Sequence, residues 1–294
     1  MEFLINFLKL TRPLSNIKNI ALVLVAFYLF GEKKELLPII LGIISLSFVS
    51  SAVYAQNSFY DYNADKNNKN KQHYRKAVEY FGKKNTIIII AFLVSVGFII
   101  GFFINVYFLI TLFFLFLTGF FYSSENFRFK ERIILDILFG AVFTFFLRFL
   151  AAWFIFSGYP LGRLPPLFAI SALVFAKTGG YLLYKEADRA FLEKLNIKNS
   201  VTSLKKKTVI LLSALCQIVA IFSFIFMCLN SVFFKLNFLG ILPIKFLFLI
   251  IFTVPPLMII YLSALEKIKT KIKNLRILGF AYWALVIVVT ILFF

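Results

Sequence analysis

Residues 36–65 read LLPIILGIISLSFVSSAVYA followed directly by QNSFYDYNAD. The first twenty residues are apolar enough and long enough to cross a bilayer as a helix, which needs about 20 such residues. The run then opens without a turn signal into Asn57, Asp61 and Asp65, spaced i, i+4 and i+8. On a continuing helix these three side chains share one face, because each four-residue step drifts only about 40°. The spacing therefore predicts a polar stripe where a membrane helix leaves the hydrocarbon. Acidic groups at that depth are costly unless they bind something. Two carboxylates and an amide are hard oxygen donors, and that set suits Mg2+ with phosphate oxygens completing its shell.

The rest of the chain repeats the apolar half of this pattern. Of 294 residues, 61% are hydrophobic, 15% are charged and 41 are Phe, a composition that a soluble domain of this size could not bury. Apolar runs fall at about 20–30, 36–55, 86–105, 107–122, 133–156, 165–184, 209–229, 246–265 and 277–294. The expectation is an all-α polytopic membrane protein, with about nine transmembrane helices in a bundle around a central cavity. It forms one membrane-embedded domain over 1–294, made of two similar halves, roughly 1–130 and 131–294. The third and fourth runs are joined at Asn105-Val106 and read as a tight hairpin. The N-terminal segment, with Lys9, Arg12 and Lys18, reads as an interfacial helix rather than a signal peptide.

The net charge of +19 lies in the connections, which speaks for topology and anionic headgroups rather than for nucleic acid. Alternate connections, together with the N-terminal segment, carry 25 of the 32 Lys and Arg; the others carry five, and Arg148 and Lys177 fall within spans. This asymmetry predicts a cytoplasmic N-terminus, an outside C-terminus and a cytoplasmic active site. Cys216 and Cys228 share one apolar run without metal-ligand spacing, and His73 stands alone, so a His-rich metal site is excluded.

Chemistry concentrates in two basic connections. Asn57, Asp61 and Asp65 are followed by Lys66, Lys69, Lys71, Arg75 and Lys76; Lys185, Glu186, Asp188 and Arg189 follow the sixth run. Carboxylates beside many cations make sense together around a metal–phosphate group. The ordinary alternatives are a solvated helix end with topogenic lysines and a charged loop with i,i+4 pairs. Asp136, Arg148 and Lys177 are ionisable groups inside spans, which marks a functional path by default.

Asn57-Ser58-Phe59-Tyr60-Asp61-Tyr62-Asn63-Ala64-Asp65 resembles the N-D-x-x-D-x-x-x-D signature of the UbiA superfamily of membrane prenyltransferases, with Ser58 in place of the first Asp. Thr11-Arg12-Pro13 and Lys18-Asn19 resemble that family's opening segment, and Lys71 with Arg75 resembles its K-x-x-R-P, one residue wider and with Lys76 for Pro. Tyr122-Ser123, Lys130, Leu135-Asp136-Ile137 and Phe146-Leu147-Arg148 are similar to the decaprenyl-phosphate phosphoribosyltransferase branch. The ordinary prenyl-transferring branch has a second D-x-x-x-D and a Y-x-x-x-K; here Glu186 and Asp188 are too close and Asn126 holds the Lys position.

The resemblance implies a Mg2+-dependent integral-membrane transferase working on an isoprenoid phosphate with a diphosphate-bearing donor. Its leading form is transfer of phosphoribose from phosphoribosyl diphosphate to polyprenyl phosphate. The alternatives are prenyl transfer from a diphosphate to an aromatic or other small acceptor, and a transporter or non-catalytic lipid-binding protein. The residues it implies for catalysis are Asp61, Asp65, Arg148 and Lys130, with Asn57, Asp61 and Asp65 holding the metal. For substrate binding it implies Asn57, Lys18, Lys71, Arg75, Tyr122, Asp136, Lys185 and Asp188.

Overall fold

The computed structural model describes residues 1–30, 35–68, 71–157, 164–244, 246, 247 and 258. Nearly all of the last two apolar runs, the basic stretch 266–276 and the cations Lys33, Lys34, Lys69, Arg163 and Lys245 lie outside the described residues. Among the described residues every regular element is helical. Among the described residues seven segments are long and apolar enough to cross a membrane: Glu2–Phe30, Leu36–Tyr60, Gln72–Phe102, Val106–Ser123, Leu135–Phe154, Leu167–Ala187 and Lys206–Phe233. They correspond in order to the first seven apolar runs.

Contacts divide the chain into two compact units. The first comprises Met1–Phe27, Glu32–Lys130 and Leu147–Tyr159. It begins with α1 (Glu2–Thr11), a 3-10 turn at Pro13–Asn16 and α2 (Ile17–Phe30), so the first span is long but broken where Arg12 takes φ 49° and Pro13 follows. At its centre stands α3 (Leu36–Tyr60), packed on α4 (Gln72–Phe102) and α5 (Val106–Ser123). Lipid supplies no hydrophobic drive between helices, so close approach and polar bonds must hold them. Ser45 Oγ donates to the Gly97 carbonyl at 2.6 Å, and a Cβ on Gly97 would sit 2.7 Å from Val49 Cγ2. Phe92, Ile99, Phe113 and Phe114 stay exposed, as lipid-facing side chains should.

One connection differs from the sequence expectation and another matches it. The stretch 56–85 is not a loop throughout, because α4 begins at Gln72; Gly82 (φ 75°, ψ 161°) breaks it ten residues in. That left-handed backbone suits glycine, which carries no Cβ. The α4–α5 hairpin is as expected: Asn105 Oδ1 accepts from the Phe108 N–H at 2.8 Å, and its Nδ2 donates to the Phe154 carbonyl at 2.6 Å.

The second unit comprises Tyr28–Gly31, Glu131–Phe146 and Pro160–Phe294. The span after Ile133 is not one regular helix. It runs through α6 (Leu135–Ile137), a wide π turn at Leu138–Val142 and α7 (Phe143–Phe154), whose later residues belong to the first unit. α8 (Leu167–Ala187) packs along α11 (Lys206–Phe233), stitched by Ser213 Oγ to the Gly179 carbonyl at 2.8 Å and Gln217 Nε2 to the Ala176 carbonyl at 3.1 Å. Between them α9 (Arg189–Lys194) and α10 (Ser200–Ser203) occupy the second basic connection.

Candidate active site

α3 stops at Tyr60, and Asp61 (φ −85°, ψ 1°) lies past its end, so the three-residue stripe is not carried by one continuous α-helix. Asn and Asp compete with helical hydrogen bonds through their own side chains, which favours a stop among 61–65. The i,i+4 spacing survives in the turn: the Asp61 N–H donates to the Asn57 carbonyl at 2.9 Å and the Asp65 N–H to the Asp61 carbonyl at 2.8 Å. Asp61 and Asp65 are 5% and 3% exposed.

Buried carboxylates need partners, and both have cations. Lys130, itself 8% exposed, donates to Asp61 Oδ1, and Lys71 Nζ lies 3.5 Å from Asp65 Oδ1. Burial pushes the Asp61 carboxyl up, but Lys130, Lys71 and Arg128 together outweigh that and hold it below the usual range. Asp65 comes out raised, because burial and the neighbouring Asp61 charge prevail over Lys71. Asn57 Oδ1 accepts from Ser123 Oγ at 2.9 Å. Among the described residues no three His, Cys, Asp and Glu side chains gather as a closed metal cage. Two carboxylates and an amide at one helix end nonetheless fit Mg2+, which prefers few protein ligands and completes its shell with water and phosphates.

A second polar cluster of the same unit surrounds Tyr54, one turn before Ser58. Arg148, 1% exposed, donates through Nη1 to Asn19 Oδ1 at 2.6 Å and Ser50 Oγ at 2.5 Å. Lys18 donates to the Tyr54 hydroxyl, and Arg12 Nη2 donates to Ser58 Oγ at 2.7 Å. The Arg12 guanidinium also lies 3.5 Å from the centre of the Tyr74 ring. Arg75 is placed elsewhere, 4.9 Å from the centre of the Tyr62 ring and 3.9 Å from Glu79. Tyr122, half-buried, precedes Ser123 at the end of α5.

In the second unit Asp136 is fully buried, and its Oδ1 accepts from Ser200 Oγ at 2.5 Å. Ser200 Oγ also accepts from the N–H of Ile134, which takes φ 70°. Lys185 Nζ lies 5.6 Å from the Tyr181 ring centre, and Asp188 is buried at the start of α9. Glu186 is committed to Arg189, with Nε to Oε1 at 2.9 Å and Nη2 to Oε2 at 2.7 Å, and this pairing raises the Arg189 pKa.

Within the first unit the structure thus gathers Asn57, Asp61, Asp65, Lys71 and Lys130 into one site and Lys18 with Arg148 into a neighbouring one. Sequence reading named no site role for Ser123, Ser50, Tyr54 or Asn19. Tyr54 and Ser50 carry a signal, since they continue the Ser58 stripe backwards at four-residue steps.

The sequence profile of the UbiA prenyltransferase family matches residues 20–285. No curated protein sequence matches at a significant level. Among solved structures, the fold is similar to the apo UbiA homolog of Aeropyrum pernix K1, with TM-score 0.74 and 17% identity over 95% of this chain and 97% of that one. It is similar to the UbiA homolog of Archaeoglobus fulgidus bound to DMAPP and Mg2+, with TM-score 0.69 and 17% identity over 97% and 99% of the two chains. A digeranylgeranylglyceryl phosphate synthase matches with TM-score 0.66 and 18% identity over 99% of both chains. With a membrane-spanning helical fold and a family match across nine-tenths of its length, this chain belongs to the UbiA prenyltransferase family and is an integral-membrane transferase.

Proposed function

We propose that the protein transfers phosphoribose from phosphoribosyl diphosphate to a polyprenyl phosphate, with Mg2+ as cofactor. The observation that supports this most is the bond from Arg148 to Asn19. It joins Lys18-Asn19, which resembles the family's opening segment, to Phe146-Leu147-Arg148, which is similar to the phosphoribosyl-transferring branch. Asp61, Asp65 and Asn57 would hold the metal, which supplies charge neutralisation for a departing diphosphate. Lys130 and Lys71, already drawn to these carboxylates, place positive charge where phosphate oxygens would lie and stabilise the charge that develops as the diphosphate leaves. Burial of this group excludes water that would otherwise hydrolyse the donor. Asp136, Lys185, Asp188, Tyr122 and Arg75 are assigned to substrate binding. The active site opens to the cytoplasm and the N-terminus lies on that side.

Prenyl transfer to a small acceptor is the second reading, supported by the similarity to homologs bound to DMAPP or GPP with Mg2+. Membranes containing the protein, incubated separately with labelled phosphoribosyl diphosphate plus polyprenyl phosphate and with labelled prenyl diphosphates plus aromatic acceptors, decide between them. A labelled lipid from the first mixture alone supports phosphoribosyl transfer; product from the second alone rejects it. Wild-type turnover by Asp61→Asn would remove the metal assignment.

A further inference from the structure

Three cations converge on the ring of Tyr54: Arg12 Cζ at 5.5 Å, Lys18 Nζ at 5.0 Å and Arg148 Cζ at 5.9 Å from its centre. None of them has a carboxylate partner among the described residues; their hydrogen bonds go to Ser58, Tyr54, Asn19 and Ser50, all neutral. Arg148 Nε, buried, has no hydrogen-bond partner. Lys18, Arg12 and Tyr54 are only half-buried, so the cluster has an open side.

Three basic side chains without an ion-pair partner among the described residues, close together within a spanning region, lack the pairing such groups normally find. The arrangement is complementary to an anion. The nearby carboxylates repel a bare phosphate and favour one that brings a metal ion, while the three cations attract a phosphate without needing a metal. A phosphate monoester carries between one and two negative charges near neutrality and offers three acceptor oxygens, which match guanidinium and ammonium donors. We propose that Arg12, Lys18 and Arg148 bind an uncomplexed phosphate monoester, separate from the metal-dependent group at Asp61 and Asp65. Only the assignment of that second group to a diphosphate rests on the function proposed above. Ser58 sets the charge of this site: its hydroxyl accepts from Arg12 without neutralising it, whereas a carboxylate there would pair with Arg12.

The test uses the purified full chain in detergent, with three probes in EDTA: farnesyl phosphate, farnesol and glycerol phosphate. In parallel, geranyl diphosphate binding is measured with Mg2+. Wild-type protein is expected to bind farnesyl phosphate without metal and far more tightly than farnesol. Lys18→Met and Ser58→Asp, on different helices, are each expected to weaken that binding by roughly tenfold or more, the loss of a hydrogen bond to a charged group. Asp61→Asn leaves it intact and abolishes Mg2+-dependent geranyl diphosphate binding. Glycerol phosphate binding as tightly as farnesyl phosphate also supports the monoester site and assigns its phosphate to a soluble ester; weaker binding assigns it to a lipid. Equal affinity for farnesyl phosphate in wild type, Lys18→Met and Ser58→Asp overturns the proposal, as does farnesol binding as tightly as its phosphate. Retention of Mg2+-dependent geranyl diphosphate binding by Asp61→Asn would count against the metal assignment alone.

Discussion

Lys130 and Asp61 are paired across 69 residues of sequence, and each is nearly closed to solvent. Removing one partner of such a pair strands the other charge, which costs roughly 3–5 kcal/mol, while removing both costs far less. Lys130→Met is therefore expected to lower the thermal unfolding temperature in detergent, and Lys130→Met with Asp61→Asn to recover most of the loss. Equal stability of wild type and Lys130→Met would show that the pair does not hold this end of the fold together.

Ser123 acts on the candidate metal site through Asn57, whose oxygen it orients at 2.9 Å. Groups in that position typically change metal affinity by about 10–100-fold. Ser123→Ala should raise the Mg2+ concentration needed for half-maximal turnover by roughly tenfold, with little change at saturating Mg2+. An unchanged Mg2+ titration would separate Ser123 from metal binding.

In the second unit Ser200 serves two groups at once, the buried Asp136 carboxylate and the Ile134 N–H. Ser200→Ala removes both bonds, and the loss at the buried carboxylate is the costlier one, at about 1–3 kcal/mol. Reduced stability, together with faster hydrogen exchange at the Ile134 amide, is the expected result; Ser200→Thr should restore both. Exchange at wild-type rates in Ser200→Ala would mean that Ile134 is held by other contacts.

Gly97 meets backbone as well as side chain: an added Cβ would lie 3.2 Å from the Ser45 carbonyl oxygen and 3.3 Å from the Val49 nitrogen. Backbone cannot rotate away as a side-chain tip can. Gly97→Ala is expected to destabilise by about 1–3 kcal/mol, the usual cost of overpacking. Unfolding at the wild-type temperature would show that α3 and α4 can separate slightly without cost.

The membrane class and the second to seventh spans were legible because hydrocarbon thickness imposes a length on apolar runs; the first apolar run covers only 20–30 of a span that runs Glu2–Phe30. The carboxylates Asp61 and Asp65 were legible because four-residue spacing keeps side chains together even where the helix gives way to a turn. What did not show in the sequence is long-range pairing. Lys130 is singled out by the resemblance alone, and its pairing with Asp61 appears only once the chain folds. Tyr54 reads as one more aromatic in an apolar run until Arg12, Lys18 and Arg148 arrive from three other segments. Helix ends are also hidden: polar residues at 72–81 look like a loop by hydropathy, yet tertiary packing of Ala77, Val78 and Phe81 against Leu10 and Ala55 makes them helical.

The left-handed backbone at Gly82 has a consequence for cooperativity. A helix without a break transmits its hydrogen-bond ladder from turn to turn, so its ends share the stability of its middle. Here the ladder is interrupted, and residues 72–81 do not inherit the stability of the membrane-embedded residues 83–102. They are held instead by their own small core and by Tyr74 against Arg12. The segment bearing Tyr74 and Arg75 thus depends for its helical form on its own tertiary contacts, to Arg12, Leu10, Ala55 and Tyr62, rather than on the span beneath it.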